Sequence, residues 1–390
     1  MTYLDHAATT PMHPAALEAM TIELGRTGNA SSLHARGRAA RRTVEESRES
    51  IAASLGARPS DVILTGGGTE ADNLAVKGLF WSRHAAEPRR RRVLVSAVEH
   101  HAVLDPARWL ESQGAELVLL PVDADGVLDL EALADELARH HEEIALISVM
   151  WANNEIGTIQ PLSAVVAGAA PHGIPVHADA VQAVAQLEVD FASSGLDAMT
   201  VSAHKLGGPT GSGALLARRG LGLEPVLHGG GQERGVRSGT LDVPAARAFA
   251  VALEHAVLDR PTEAVRLAAL RDRLLAVATE QVPGVQVRGA HGDGRLQGNA
   301  HLTFSGCEGD SLIYLLDSAG IACSTGSACQ AGVPQASHVL LACGVPERAA
   351  RGALRFSLGR TSTDADIDAL LAALPQVVAR ARAAGLAVVG

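Results

Sequence analysis

Lysine is nearly absent from this chain of 390 residues. Only Lys77 and Lys205 are lysines among its 33 basic residues, so arginine carries almost all of the positive charge. Cysteine occurs four times without a Cys-x-x-Cys pair, which argues against a disulfide framework, a zinc site or a redox dithiol. No apolar run approaches the roughly 18 residues that span a bilayer, so we expect no membrane segment. A net charge of −10 argues against a general nucleic-acid binder.

The residues that are present predict a globular protein with a large core. Hydrophobic residues make up 47% of the chain and charged residues 19%, and a length of 390 residues predicts two domains. The N-terminus lacks the basic and apolar regions of a signal peptide, and with so few cysteines we expect a reducing, cytoplasmic setting. The basic run at 89–92 precedes an apolar strand, and we interpret it as a solvated edge rather than a phosphate-binding patch.

Apolar strands alternate with helical patterns over the first two thirds of the chain. This order predicts an α/β fold with a mainly parallel sheet buried on both faces, in which ligands bind outside the carboxyl ends of the strands. A long helix from about residue 249 then leads into a smaller α+β region. Several polar residues lie at or just after strand ends and therefore predict one active site: Thr69, His100, Asn154, Asp179, Ser202, His204 and Lys205.

Lys205 is the candidate for covalent chemistry. It follows a β-prone run at the start of a glycine-rich turn, and a buried lysine amine can lose its proton and form a Schiff base, whereas arginine stays protonated. The run Gly66-Gly67-Gly68-Thr69 lies between a strand and a helix, where free amides and a helix dipole favour a phosphate. The alternatives are a solvated loop lysine and an ordinary turn between a strand and a helix.

These parts are the ones that a pyridoxal phosphate enzyme must supply. Asp179 would keep the pyridine nitrogen protonated, Gln182 would hydrogen-bond the phenolic oxygen, and His100 would stack on the ring. Each has an alternative role: a helix N-cap for Asp179, a surface helix residue for Gln182, and a hydrogen-bonded loop histidine for His100.

Motifs along nearly the whole chain resemble the cysteine desulfurases, which are class V aminotransferase-like pyridoxal phosphate enzymes of fold type I. The motifs that carry the resemblance, in chain order, are Asp5-His6-Ala7-Ala8-Thr9-Thr10-Pro11, Thr69-Glu70-Ala71-Asp72-Asn73, Glu99-His100, Asn153-Asn154-Glu155-Ile156-Gly157, Ser202-Ala203-His204-Lys205, Arg237-Ser238-Gly239-Thr240, Ser324-Thr325-Gly326-Ser327-Ala328-Cys329 and Arg355-Phe356-Ser357-Leu358-Gly359-Arg360.

The resemblance implies a role for each matching residue. Lys205 would hold the cofactor, while Gly68, Thr69, Ser202 and His204 would bind its phosphate. Asn154, Asp179 and Gln182 would fix the ring. Arg355 would pair with the substrate carboxylate, and Asn29 would border the substrate. Thr240 would reach the phosphate of the neighbouring subunit, which implies a homodimer. We also expect a large cofactor-binding domain over 15–252 and a small domain formed by 1–14 and 253–390.

Cys329 would decide the reaction. It lies in a run rich in small residues, which predicts a mobile, exposed loop. The resemblance implies that its thiolate takes sulfur from L-cysteine and leaves L-alanine, with Lys205 removing the α-proton and His100 carrying protons. The persulfide sulfur would pass to an iron-sulfur scaffold protein or a tRNA-thiolation acceptor. We expect no resident metal, although Cys329 could transiently ligate an iron-sulfur cluster on a partner.

Other functions stay open at this point. The chain could be another class V enzyme, such as a selenocysteine lyase or an aminotransferase, or a non-catalytic sulfur or metal carrier. Cys323 is expected to pack in the small domain's sheet, and a sulfur-shuttling role for it is a weaker hypothesis.

Overall fold

The structure is a computed structural model that describes residues 1–326 and 336–388. Its strands are Thr2–Tyr3 (β1), Val62–Thr65 (β2), Arg92–Ser96 (β3), Glu116–Leu120 (β4), Ile144–Ser148 (β5), Val176–Asp179 (β6), Ala198–Ser202 (β7), Gly213–Ala217 (β8), Val285–Val287 (β9), Asn299–Phe304 (β10), Ile321–Ala322 (β11) and Ala353–Ser357 (β12). Its helices are Pro14–Leu24 (α1), Ala35–Ser54 (α2), Gly68–Ala86 (α3), His101–Glu111 (α4), Leu130–His140 (α5), Leu162–Ala169 (α6), Phe191–Ser194 (α7), Val243–Gln281 (α8), Gly309–Ser318 (α9), His338–Ala342 (α10), Glu347–Ala350 (α11) and Asp364–Val388 (α12).

The larger sheet has the spatial order β2-β8-β7-β6-β5-β3-β4. All neighbouring strands in it are parallel except β8, which runs antiparallel to both β2 and β7. Its inner strands are mostly apolar and are buried along their whole length, as a sheet covered by helices on both faces requires. The predicted α/β fold with a mainly parallel sheet is confirmed.

A second, smaller sheet is antiparallel, in the order β12-β10-β9, and β1 pairs with β11 nearby. These strands pack with α9, α12 and the second half of α8 around a separate core. Leu4 from the N-terminus belongs to this core, together with residues from Leu267 onwards. This arrangement is compatible with the expected domain division, which stays a prediction.

The helix α8 begins earlier than its apolar pattern predicts. The Asp242 side chain accepts a hydrogen bond from the Ala245 amide at 2.9 Å, and Pro244 lies in the first turn. An aspartate N-cap followed by proline is a helix start signal, which extends the helix back from about 249 to Val243. No helix among the described residues is long and apolar enough to cross a membrane.

The basic run at 89–92 is solvated in part, since Arg89 and Arg91 are exposed as the edge interpretation predicts. Arg92 is buried at the start of β3, where its guanidinium pairs with Glu116 at 2.6 Å and with Glu136 at 2.7 Å. Arg90 pairs with Glu87 at 2.5 Å, so nearby carboxylates neutralise the run.

Candidate active site

A cleft of about 380 Å³ opens where the carboxyl ends of the parallel strands meet the smaller sheet. Strands β6 and β7 end side by side at Asp179 and Ser202, and α3 begins at Gly68 beside them. Adjacent parallel strands deliver their last residues to one edge, which is why residues far apart in sequence meet here. The sequence-predicted residues that line this cleft are Gly68, Thr69, His100, Asn154, Asp179, Gln182, Ser202, His204, Lys205 and Arg355.

The Lys205 amine points back toward the N-terminal segment. Lys205 ends the short turn Ala203–Lys205 that follows β7, and its Nζ donates to the carbonyls of Ala7 at 2.6 Å and Ala8 at 2.7 Å. Burial, together with the positive charge of Arg355, lowers the pKa of the amine to about 8. An amine with this pKa is partly unprotonated near neutral pH, as attack on a carbonyl requires.

Asp179 is buried at the end of β6. One of its carboxylate oxygens accepts from the Val181 amide at 2.9 Å, but no helix starts here, so the N-cap alternative is wrong. Burial raises the pKa of Asp179 to about 6, while the Val181 hydrogen bond and the charge of Lys205 oppose the rise. A protonated ring nitrogen facing this carboxylate would favour its ionised form.

The turn before α3 has the geometry of an anion site. Gly67 has a φ of 138°, which favours glycine, and α3 starts at the next residue with its first amides free. A Cβ added at Gly68 would lie 3.1 Å from the side chain of Val181 and 3.4 Å from that of Ser202, so a larger residue would crowd the cleft. Amides, hydroxyls and a helix N-terminus together suit a phosphate.

His204 lies beside this turn. Its Nδ1 is 3.3 Å from the Thr9 hydroxyl, and burial and the charge of Lys205 lower its pKa to about 4. The ring is therefore neutral at pH 7 and can donate a single hydrogen bond.

Arg355 projects from β12, a strand of the smaller sheet, into the same cleft. Its Nη2 donates to a carboxylate oxygen of Asp5 and its Nη1 to the Asn154 carbonyl, both at 2.9 Å. The guanidinium is buried, and its Nε has no hydrogen-bond partner within the described part of the chain. Because Nε is itself buried, pairing with a substrate carboxylate would use the Nη atoms and stays a prediction.

His100 and Gln182 reach the cleft but already have partners. His100 is the N-cap of α4, and its Nδ1 accepts from the Ala102 amide at 3.1 Å. Burial and the charge of Lys205 lower the pKa of His100 to about 4, so the ring is neutral. The Gln182 amide donates to the Ala7 carbonyl at 3.0 Å, and its contact with a ring oxygen stays a prediction.

Two predicted residues are not brought into this cleft. Thr240 and Asn29 are exposed and lie outside it, and the Asn29 side chain accepts from the Ser31 amide at 2.8 Å. Cys329 and its expected mobile loop lie outside the described residues. Ser324 and Gly326, which precede this segment, line the cleft, as does His338, which follows it.

Sequence reasoning assigned no role to two histidines and two carboxyls in the cleft wall. His101 and His338 contact each other with ring centroids 5.0 Å apart, and the buried carboxyls of Asp72 and Glu155 belong to the same lining. Burial and the nearby Asp179 raise the pKa of Asp72. His101 follows Glu99-His100 directly, which is the one sequence signal for it, whereas nothing in the sequence points to His338.

The comparisons with known proteins agree over the whole chain. A family model described as "Aminotransferase class-V" matches residues 2–370. The chain is 57% identical over 391 residues to an "IscS-like cysteine desulfurase" of Mycobacterium tuberculosis, covering 100% of this chain and 99% of the relative. It superposes on a "NifS-like protein" with a TM-score of 0.89 at 33% identity, covering 97% of this chain and 99% of that one. A structure titled "SspA in complex with cysteine" gives a TM-score of 0.79 at 32% identity, covering 92% and 99%.

Proposed function

The chain belongs to the class-V aminotransferase family, and on this premise we propose that it is a pyridoxal phosphate-dependent cysteine desulfurase. The proposed reaction converts L-cysteine into L-alanine and leaves the sulfur as a persulfide on Cys329. Its 57% identical relative bears the name of this activity, and a structural neighbour is titled as a complex with cysteine.

The observation that carries the proposal is the grouping around Lys205. One of two lysines in the chain has its amine buried in a cleft that also contains a buried carboxylate, Asp179, and a guanidinium with an unpaired donor, Arg355. A solvated surface lysine would show none of these features.

The residues present fit pyridoxal phosphate. The Gly67–Gly68 turn leaves space where a Cβ would crowd Val181, and α3 begins at Gly68 beside Ser202. We propose that this turn, with Thr69, Ser202 and His204, binds the phosphate. Asp179, Asn154 and Gln182 would hold the ring, and Lys205 would bind it covalently. When bound, the cofactor supplies an electron sink for the substrate α-carbon.

Side chains of the protein would orient the substrate and transfer its protons. Arg355, held by Asp5 and the Asn154 carbonyl, lines the cleft and would orient the substrate carboxylate. The Lys205 amine, with its pKa near 8, would accept the α-proton and return it. His100 is neutral and lies at the cleft, so we propose that it accepts the proton of the substrate thiol.

Cys329 is the proposed sulfur acceptor. Its thiolate would attack the substrate sulfur, the carbon–sulfur bond would break with its electron pair left on carbon, and that carbon would then be protonated. The other cysteines are poor nucleophiles, because burial raises the pKa of both Cys323 and Cys343 to about 12 and also raises that of Cys307. The chain segments on both sides of 327–335 border the cleft, which supports access of Cys329 to the substrate.

The proposal extends to the partners. Thr240 is exposed and outside its own cleft, which suits the proposed contact with the phosphate of a second subunit in a homodimer. An iron-sulfur scaffold protein or a tRNA-thiolation acceptor would receive the persulfide sulfur, and we propose a cytoplasmic location.

Mass spectrometry after L-cysteine treatment tests the proposal. We expect one added sulfur atom on Cys329, production of alanine, and visible absorbance that is lost in Lys205→Ala. Cys329→Ala should keep the absorbance and lose sulfide release, and Cys323→Ala is the matched control that should retain both. Unchanged desulfuration in Cys329→Ala would refute the assigned sulfur acceptor. Alanine production with no visible absorbance would refute the cofactor.

A further inference from the structure

A group of two imidazoles and a carboxylate lies behind the cleft and has no part in the proposed reaction. His13 is the N-cap of α1, and His255 and Asp259 lie one turn apart on one face of α8. Each residue offers one ligand atom, and these three atoms lie within 4.8 Å of one another. The two imidazole rings stack with centroids 4.2 Å apart and an interplanar angle of 20°, so one ring must rotate out of the stack before both can bind the same ion.

The ligand atoms in this group are available. The Asp259 carboxylate is exposed and has no hydrogen bond or ion pair with any described residue, unlike the nearby Glu263, which Arg266 binds at 2.6 Å. The His13 Nδ1 is already an unprotonated acceptor, since it takes the Ala15 amide in a long bond of 3.2 Å. A metal ion could replace the Ala15 amide at Nδ1. It could instead bind Nε2 in the tautomer that carries the ring proton on Nδ1, which would break the hydrogen bond from the Ala15 amide.

An adjoining cavity of about 90 Å³, lined by all three residues, has room for water molecules that would complete the coordination.

We propose that His13, His255 and Asp259 form a zinc-binding site. Imidazole nitrogen and carboxylate oxygen are ligands that Zn²⁺ accepts, and three protein ligands plus water complete a tetrahedral site. The site joins the start of α1 to α8 beside the Lys205 turn, because the His13 amide donates to the Gly207 carbonyl at 2.7 Å. Bound Zn²⁺ therefore ties this turn to the long helix and stabilises the folded chain.

Calorimetric titration with Zn²⁺ tests the site. All proteins are holoenzymes with Cys329→Ser, which removes the proposed reactive thiol as a competing ligand. The parent and the control His291→Ala, an exposed histidine outside the group, should each bind one Zn²⁺ per chain. His255→Ala and Asp259→Asn should each bind it about 10-fold more weakly or worse. Asp259 is exposed, so Asp259→Asn separates lost ligation from misfolding.

Two further measurements test where the zinc ion binds and whether it stabilises the fold. Anomalous diffraction at the zinc edge should place the ion about 2.0–2.1 Å from imidazole nitrogens of His13 and His255. Zn²⁺ should raise the melting temperature of the parent and not that of Asp259→Asn. Equal affinity in all four proteins, no saturable binding by the parent, or an anomalous peak elsewhere would overturn the proposal. None of these outcomes bears on the desulfurase reaction.

Discussion

Replacement of Arg355 by lysine tests the geometry of the cleft most directly. The guanidinium holds Asp5 and the Asn154 carbonyl with its two Nη atoms, each at 2.9 Å, and lines the cleft where the substrate carboxylate would bind. A lysine ammonium is a point charge on a flexible chain and cannot make the same fork. Losing one charge-assisted hydrogen bond to the substrate carboxylate costs about 1.5–3 kcal/mol, which corresponds to roughly a 10- to 150-fold fall in kcat/KM for L-cysteine.

The substrate provides the control for this prediction. L-cysteine methyl ester lacks the anionic carboxylate, so its kcat/KM should change little between the parent and Arg355→Lys. Asp5→Asn should reproduce part of the loss for L-cysteine, since it frees the guanidinium from its anchor 350 residues away in sequence. Steady-state sulfide or alanine production measures all three proteins. An equal loss for cysteine and its ester in Arg355→Lys would refute recognition of the carboxylate.

Three other outcomes follow from the structure. Gly68→Ala should release pyridoxal phosphate roughly 10-fold faster on dialysis, because a Cβ there would lie 3.1 Å from Val181, and unchanged retention would contradict the phosphate assignment. Burial lowers the pKa of His177 from 6.5 to about 3. Between about pH 3 and 6.5 the unfolded chain therefore binds a proton on His177 that the folded chain does not bind. The free energy of unfolding falls as pH drops below about 6.5. Urea unfolding at a series of pH values should show that the free energy of unfolding falls less steeply with pH in His177→Gln than in the parent. An equal pH dependence in the two proteins would contradict this prediction. Cys323→Ala should keep parental desulfuration and transfer rates, because a thiol with a pKa of about 12 is scarcely ionised, whereas a slower transfer would support sulfur shuttling.

Local patterns predicted the individual elements well. The first two thirds of the chain contain the alternating strands and helices that the apolar pattern predicts, among them the strands Val62–Thr65 and Val176–Asp179 and the helix Pro14–Leu24. The error at the start of α8 came from the apolar pattern, which begins later than the Asp242 cap. Periodicity reports the buried face of a helix, and a first turn held by a polar cap lies outside that signal.

The candidate site was predictable to the extent that strand ends share one sheet edge. That rule brought together Asp179, Ser202 and Lys205, which the cleft contains. Contacts of the N-terminal segment were not predictable, because the Ala7 and Ala8 carbonyls bind the Lys205 amine across about two hundred residues of chain. Such pairs depend on how the smaller sheet packs against the larger one.

By itself, the sequence determined the element types, the parallel sheet and the edge at which polar residues gather, because side-chain periodicity and strand order are local properties of the chain. Only the tertiary structure decided that Arg355 is anchored by Asp5, that the Lys205 amine is buried enough to lower its pKa, and that His13 meets His255. Burial and long-range contact arise when separate elements pack, and they set the pKa values and donor geometry on which chemistry depends.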